Sequence, residues 1–214
     1  MAERIVMVGA SGFGREALDV LEAMQAVGAD LEFAGVIDDR PSELNLERLQ
    51  DRGVAYLGTI TDWLAGPHEE AYLLGIGSPT VRRILVDKFD AQGCRPFTAI
   101  HPNASIGSRA AIAEGVVVCA GAVISTNVRL ERHVHVNPNA TIGHDSILRE
   151  FVSVNPAAVI SGEVIIEPGV LIGAQALVLQ QLTVGHDTTV GAASLVTKDV
   201  PPDVIVKGVP GRWA

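Results

Sequence analysis

The stretch Val118-Cys-Ala-Gly-Ala-Val-Ile124-Ser-Thr-Asn-Val-Arg-Leu130-Glu-Arg-His-Val-His-Val136-Asn-Pro-Asn-Ala-Thr-Ile142 repeats with a period of six. The period runs on in both directions. Every sixth residue from Ile100 to Val196 is Ile, Leu or Val, seventeen times in succession. Four places after each comes a second, smaller position, from Ala104, Ala110 and Val116 through Ala140 and Ser146 to Thr188 and Ser194. An α-helix repeats at 3.6 residues and an amphipathic strand at 2, so neither fits a strict six. A hexapeptide repeat does, and it marks a β-helix. Three hexads make one triangular coil, with the aliphatic residue plugging the interior and the small one under the corner. Residues one coil apart then stack at roughly 4.8 Å, the spacing of neighbouring strands. Val136-Asn-Pro-Asn-Ala140 recurs as Val154-Asn-Pro-Ala-Ala158, one coil later. Such a solenoid has open sheet ends and needs caps or partners. After Val196 the hexads fail, and the tail from Lys198 to Ala214 is expected to lie as an extended cap over the last coil.

The residues ahead of the repeat alternate between strand and helix signals. Arg4–Ala10, Phe33–Ile37 and Ala71–Ile76 read as strands. Phe13 to Val27 reads as a helix with Ala17, Leu21, Met24 and Val27 on its apolar face. A second helix starts at Ser78-Pro79, with Ser as cap and Pro in the first turn, and presents Val81, Ile84, Leu85 and Phe89. Between them lies a polar segment punctuated by leucines. The alternation predicts a small Rossmann-like α/β domain with a parallel sheet. The expected domains are 1–97 and 98–214, an α/β sheet domain followed by an all-β parallel β-helix.

Composition narrows the function. The chain has 214 residues, of which 48% are hydrophobic and only 4% aromatic, so its core is aliphatic, as narrow coils require. Its 22 glycines suit tight corners. The net charge of −9 argues against a nucleic-acid or anionic-membrane surface, yet leaves room for a local phosphate site. Cys94 and Cys119 form no disulfide framework and no Cys-x-x-Cys zinc spacing. The start of the chain lacks a signal-peptide pattern, and no apolar run is long enough to span a membrane. A cytoplasmic protein without membrane insertion is expected.

Two places carry candidate chemistry. The turn Gly9-Ala-Ser-Gly-Phe-Gly14 joins a strand to a helix, where backbone N–H groups can hold a phosphate. Gly12 and Gly14 would let a ligand approach the backbone, and Asp38 and Asp39 end the second strand, where carboxylates accept hydrogen bonds from hydroxyls or a base. A tight turn and a solvated acidic pair would read the same way. The second place is Ile142-Gly-His-Asp-Ser146, at a β-helix corner. There Asp145 can fix the tautomer of His144, leaving the other ring nitrogen to take a proton. An exposed pair on a turn is the alternative. His68, His101 and His186 read as solvated. His133-Val-His135 has a weak metal spacing, and no metal is expected.

These motifs resemble a known family. Val8-Gly-Ala-Ser-Gly-Phe-Gly-Arg15 with Asp38-Asp39, Ile142-Gly-His-Asp145 and Lys207-Gly-Val-Pro-Gly211 are similar to the two-domain sugar O-/N-acyltransferases of the hexapeptide-repeat superfamily. That group includes sialic acid O-acetyltransferases and N-acetyltransferases of nucleotide-linked 4-amino-4,6-dideoxy sugars. The resemblance implies a left-handed β-helix and a homotrimer with acetyl-CoA between adjacent β-helices. It implies a nucleotide-linked sugar acceptor at Gly12, Phe13, Gly14, Asp38 and Asp39. It makes His144 the base and Asp145 its partner, with Ser153, Gly162 and Ala192 near the acetyl-CoA. Many relatives carry His where this chain has Phe13, and often His in place of Ser153. His135, one coil beneath Ser153, would bring an imidazole to that place. N-acetylation is the leading expectation; O-acetylation of a sugar and a non-catalytic trimeric scaffold are its rivals.

Overall fold

A computed structural model describes residues 2–213. Met1 and Ala214, the outer ends of the two expected domains, lie outside the described residues. The chain divides into two compact units, Met1–Ala99 and Ile100–Ala214.

The N-terminal unit is a three-stranded parallel sheet with flanking helices. Strands β1 (Glu3–Val8), β2 (Leu31–Ile37) and β3 (Ala71–Leu74) stand in the order β2-β1-β3. The central strand is buried from Ile5 to Val8, the continuous apolar run expected of a strand covered on both faces. Helix α1 (Gly12–Ala26) follows β1 and buries Gly14, Ala17, Leu18, Val20 and Leu21. Val27 lies past its end and is 70% exposed, so it does not join the expected face. The leucine-punctuated segment forms two short helices, α2 (Glu43–Asp51) and α3 (Ile60–Ala65). Each is capped by a hydroxyl, Ser42 accepting from Asn45 N and Thr59 from Asp62 N.

Helix α4 (Pro79–Ala91) starts at Ser78 as expected, but its buried face is turned by one residue. Arg82, Leu85, Val86 and Phe89 face inward, while Val81 and Ile84 are 42% and 54% exposed. The buried set has the i, i+3, i+4, i+7 spacing of one helix face. The guanidinium of Arg82 is tolerated there because Nη1 donates to the carbonyls of Ile76 at 3.0 Å and Gly77 at 2.9 Å. Burial lowers its pKa to about 9.

The C-terminal unit is a parallel β-solenoid of two-residue strands, the architecture of the left-handed β-helix. Its three faces hold seven, six and five strands. The first face carries strands ending at Val118, Val136, Val154, Ile172 and Val190; the second, at Ile124, Ile142, Ile160 and Val178; the third, at Leu130, Leu148 and Ile166. Partners are 18 residues apart, as His135 with Ser153 and Thr141 with Val159. From Val116 to Val178 the plug residues and the small corner residues are all buried, most of them fully. Ser146 is one of the small set. Its hydroxyl donates to Ser161 O at 3.0 Å and accepts from Val164 N at 3.2 Å, tying its corner to the coil above.

Glycine is not what turns most corners. From Ile106 to Val190 the third residue after each plug sits in the left-handed region, and side chains occupy most of these places, among them Asn127, His133, Asn139, Asp145, Phe151 and Glu163, with φ between 58° and 63°. From Asn127 to Ala193 the N–H of each such residue donates to a carbonyl of the coil below, so the local cost of this backbone is carried by the stack. The tail is also more than a cap. Val200 and Val206 are buried in line with the array, and Val190 pairs with Val206 at a spacing of 16 rather than 18. The last coil is thus two residues short, and Trp213 packs on its core while Lys198 Nζ lies 4.7 Å from the Trp213 ring centre.

Gly14 marks the tightest approach in the N-terminal unit. A Cβ there would lie 2.0 Å from Gly9 O, and neither backbone can yield. Gly14→Ala is therefore expected to destabilise this unit by about 3 kcal/mol or more. Urea unfolding followed by Trp63 fluorescence in a Trp213→Phe background measures it; an unchanged midpoint would show that the turn can open without cost.

Candidate active site

His144 and Asp145 occupy the corner between the second and third faces, just after the strand ending at Ile142. Their placement follows from the coil. Gly143 passes tightly under the next coil, where a Cβ would lie 2.5 Å from the Ser161 carbonyl carbon. Asp145 takes the left-handed conformation, φ 60°, which turns its carboxylate back toward the neighbouring ring. His144 Nδ1 lies 2.7 Å from Asp145 Oδ2. The other carboxylate oxygen accepts from Asn127 Nδ2 at 2.9 Å. Hydrogen bonds from His144 first, then from Asn127, hold Asp145 below the usual carboxylate range. An ionised Asp145 fixes the ring proton on Nδ1 and leaves the lone pair on Nε2.

The ring does not hang free over the corner. It lies against Gly162, one coil above, where a Cβ would come 2.5 Å from Nε2 and 2.6 Å from Cε1. The side chain of His144 remains 55% exposed, open to a substrate. An imidazole held at one nitrogen and bare at the other is equipped to accept a proton from an attacking amine or hydroxyl.

The other expected contacts lie elsewhere. Ser153 and His135 are register partners on the first face, and each is 1% exposed. That face is opposite the corner of His144, so one chain does not bring them together. His135 stands beneath Ser153 as the register predicts. His133 is fully buried, with its ring stacked on Phe151 at 5.5 Å, a packing contact. Ala192 is exposed at a third corner, between the first and second faces.

In the N-terminal unit the glycine turn and Asp38 are joined. Asp38 Oδ2 accepts from Ala10 N and Oδ1 from Arg40 N, both at 2.8 Å. Tyr56 donates its hydroxyl to Asp38 O at 2.9 Å. Asp39 Oδ1 accepts from Ile60 N at 2.9 Å, capping α3. Gly12 faces open space and Phe13 is half-buried beside it. Gly14 is buried, and its missing side chain serves the close approach to Gly9 rather than access for a ligand.

Sequence reasoning passed over three features. His68 is not simply solvated: its ring stacks on Trp63 at 4.1 Å, and Nε2 lies 3.1 Å from Cys94 Sγ. Asn127, one coil below Asp145, is reachable from the 18-residue register. The motif Ile142-Gly-His-Asp-Ser146 also recurs as Val184-Gly-His-Asp-Thr188, with His186 Nδ1 3.2 Å from Asp187 Oδ2.

Comparison with known proteins agrees with this fold. The family model of the PglD N-terminal domain matches residues 4–89. The acetyltransferase domain of PglB from Neisseria gonorrhoeae FA1090, solved in complex with acetyl coenzyme A, is 28% identical, with 100% of each chain covered and a TM-score of 0.85. WeeI from Acinetobacter baumannii AYE is 27% identical, with 100% of each chain covered and a TM-score of 0.86. PerB from Caulobacter crescentus, solved with CoA and GDP-perosamine, is 26% identical over 100% of this chain and 98% of its own, with a TM-score of 0.80. Among curated protein sequences none matches. Fold and comparisons make the chain similar throughout to acetyltransferases that act on sugars. The resemblance to the two-domain sugar O-/N-acyltransferases is borne out, with an N-terminal domain of the PglD type ahead of the β-helix. Among the described residues, no helix is long and apolar enough to cross a membrane.

Proposed function

We propose that the chain is an acetyl-CoA-dependent N-acetyltransferase acting on a nucleotide-linked amino sugar of the 4-amino-4,6-dideoxy type. The observation that carries this reading is the His144–Asp145 pair at 2.7 Å, with Nε2 left open on an exposed corner. The acceptor amine attacks the thioester carbonyl, and its proton passes to Nε2. The C–S bond then breaks, and the departing thiolate takes the proton back from the imidazolium. Asp145 stabilises the imidazolium without itself taking the proton. Backbone N–H groups at a corner suit the developing oxyanion.

The acceptor's phosphates sit at the Gly12-Phe13-Gly14 turn, and its hydroxyls or base meet the lone pairs that Asp38 and Asp39 keep after binding backbone amides. The protein works as a cytoplasmic homotrimer. Acetyl-CoA then lies between neighbouring β-helices, where Gly162 and Ala192 are open to contact it; Ser153, 1% exposed, meets it only if the covering side chains part. Within one chain Ser153 lies on the face opposite His144, so its part in the site depends on the trimer. The relatives solved with acetyl coenzyme A, or with CoA and GDP-perosamine, support the choice of donor and acceptor class.

Thiol release from acetyl-CoA, measured against a panel of UDP-, GDP- and dTDP-linked 4-amino sugars, tests the proposal. At least one amine is expected to turn over. Release with hydroxyl sugars alone would replace it with O-acetylation, and no release with any acceptor would leave a scaffold.

A further inference from the structure

The chain contains two Gly-His-Asp corners, and at the first of them a side-chain amide braces the aspartate from the coil beneath. One coil below Asp145 stands Asn127, at φ 58° beneath φ 60°. Asp145 N donates to Thr126 O at 3.1 Å, which locks the two residues in register. Asn127 Nδ2 then reaches Asp145 Oδ1 at 2.9 Å, while Oδ2 holds His144 Nδ1 at 2.7 Å. One coil above, Glu163 Oε2 takes the amide of Gln181 at 3.2 Å, so each carboxylate of this column has its own amide donor. At the second corner Asp187 N donates to Pro168 O, which puts Gly169 in the place of Asn127. Asp203 N donates to His186 O, which puts Pro202 in the place of Gly162. The same three residues therefore have glycine in place of asparagine beneath and proline in place of glycine above, and the His–Asp distance is 3.2 Å instead of 2.7 Å.

We infer that Asn127 is a positioning residue for the reaction: its amide fixes Asp145 so that Asp145 keeps the His144 proton on Nδ1 and the lone pair on Nε2. A carboxylate on an exposed corner, held only by an imidazole, can still rotate about two bonds. A second hydrogen bond to its other oxygen fixes its plane. Asparagine suits the place on two counts. It tolerates the left-handed backbone, and it donates without adding a charge. The carboxylate stays ionised in part through this bond. The inference rests on His144 acting as base, as proposed above.

Imidazole ¹⁵N NMR on the full chain reads the tautomer directly, with His186 as an internal reference. The parent is expected to show His144 as the Nδ1–H form. Asn127→Ala should move His144 toward the mixed population of an unconstrained ring and leave His186 unmoved. In the thiol assay Asn127→Ala should lower kcat about tenfold, with both KM values within about twofold of the parent. In an Asp145→Ala background it should cost nothing further, because it acts through that carboxylate. An unchanged His144 tautomer in Asn127→Ala, or an equal loss of kcat without Asp145, would overturn the inference. Full activity in His144→Ala would instead sink the base assignment, and the tautomer result would still stand.

Discussion

His144→Ala is expected to lower kcat by about 10²–10⁴, the usual contribution of a positioned general base. The loss should be confined to chemistry. The side chain is 55% exposed where it lies against Gly162, so its removal leaves no buried cavity. The melting temperature should stay at the parent value, and acetyl-CoA should still bind, by calorimetry, with unchanged affinity. His186→Ala supplies the control. It removes an imidazole from an identical Gly-His-Asp sequence on another corner, and it should leave turnover intact. Equal effects at the two positions would mean that the motif, rather than its setting, had been mistaken for a site. Full turnover in His144→Ala would remove the base from the mechanism and leave proximity alone to account for transfer.

The β-helix was legible because its period belongs to no other regular structure. A plug every sixth residue fixes the coil, the coil fixes the register, and the register places Gly162 and Asn127 one coil above and below the His-Asp corner. The errors came where one residue type stood in for a whole environment. Val81 and Ile84 are apolar and at helical spacing, yet both stay exposed. The face was set instead by Arg82, whose charge two carbonyls of the preceding turn accept. The corners were credited to glycine, yet residues such as Asn127 and Asp145 turn them, because stacking supplies hydrogen bonds that no single-residue preference records. The helices α2 and α3 could have been found from Ser42 and Thr59, each with a backbone N–H three residues on to cap. His68 could not. Its contacts to Trp63 and Cys94 depend on how a loop closes over α4, which local pattern does not reveal.

Gly162→Ala is expected to lower kcat about a hundredfold, through displacement of the base. The new Cβ would stand 2.5 Å from His144 Nε2 and 2.6 Å from Cε1, closer than nonbonded atoms can approach. Gly162 has no left-handed φ, so alanine fits the backbone, and the exposed ring can swing outward. The fold should therefore survive while the ring leaves its seat and takes Nε2 with it. Two roles for this glycine make opposite predictions. A glycine that only admits the donor would, on gaining a methyl, raise the acetyl-CoA KM and spare kcat at saturation. A glycine that seats the imidazole would lower kcat, shift the His144 resonances and leave acetyl-CoA affinity nearly unchanged. The pairing with His144→Ala separates them further. Once the ring is gone, the added methyl has nothing to displace, so the double variant should be no slower than His144→Ala alone. A further loss in that background, together with weaker acetyl-CoA binding, would show that contact with the donor, and not seating of the ring, is the main role of Gly162.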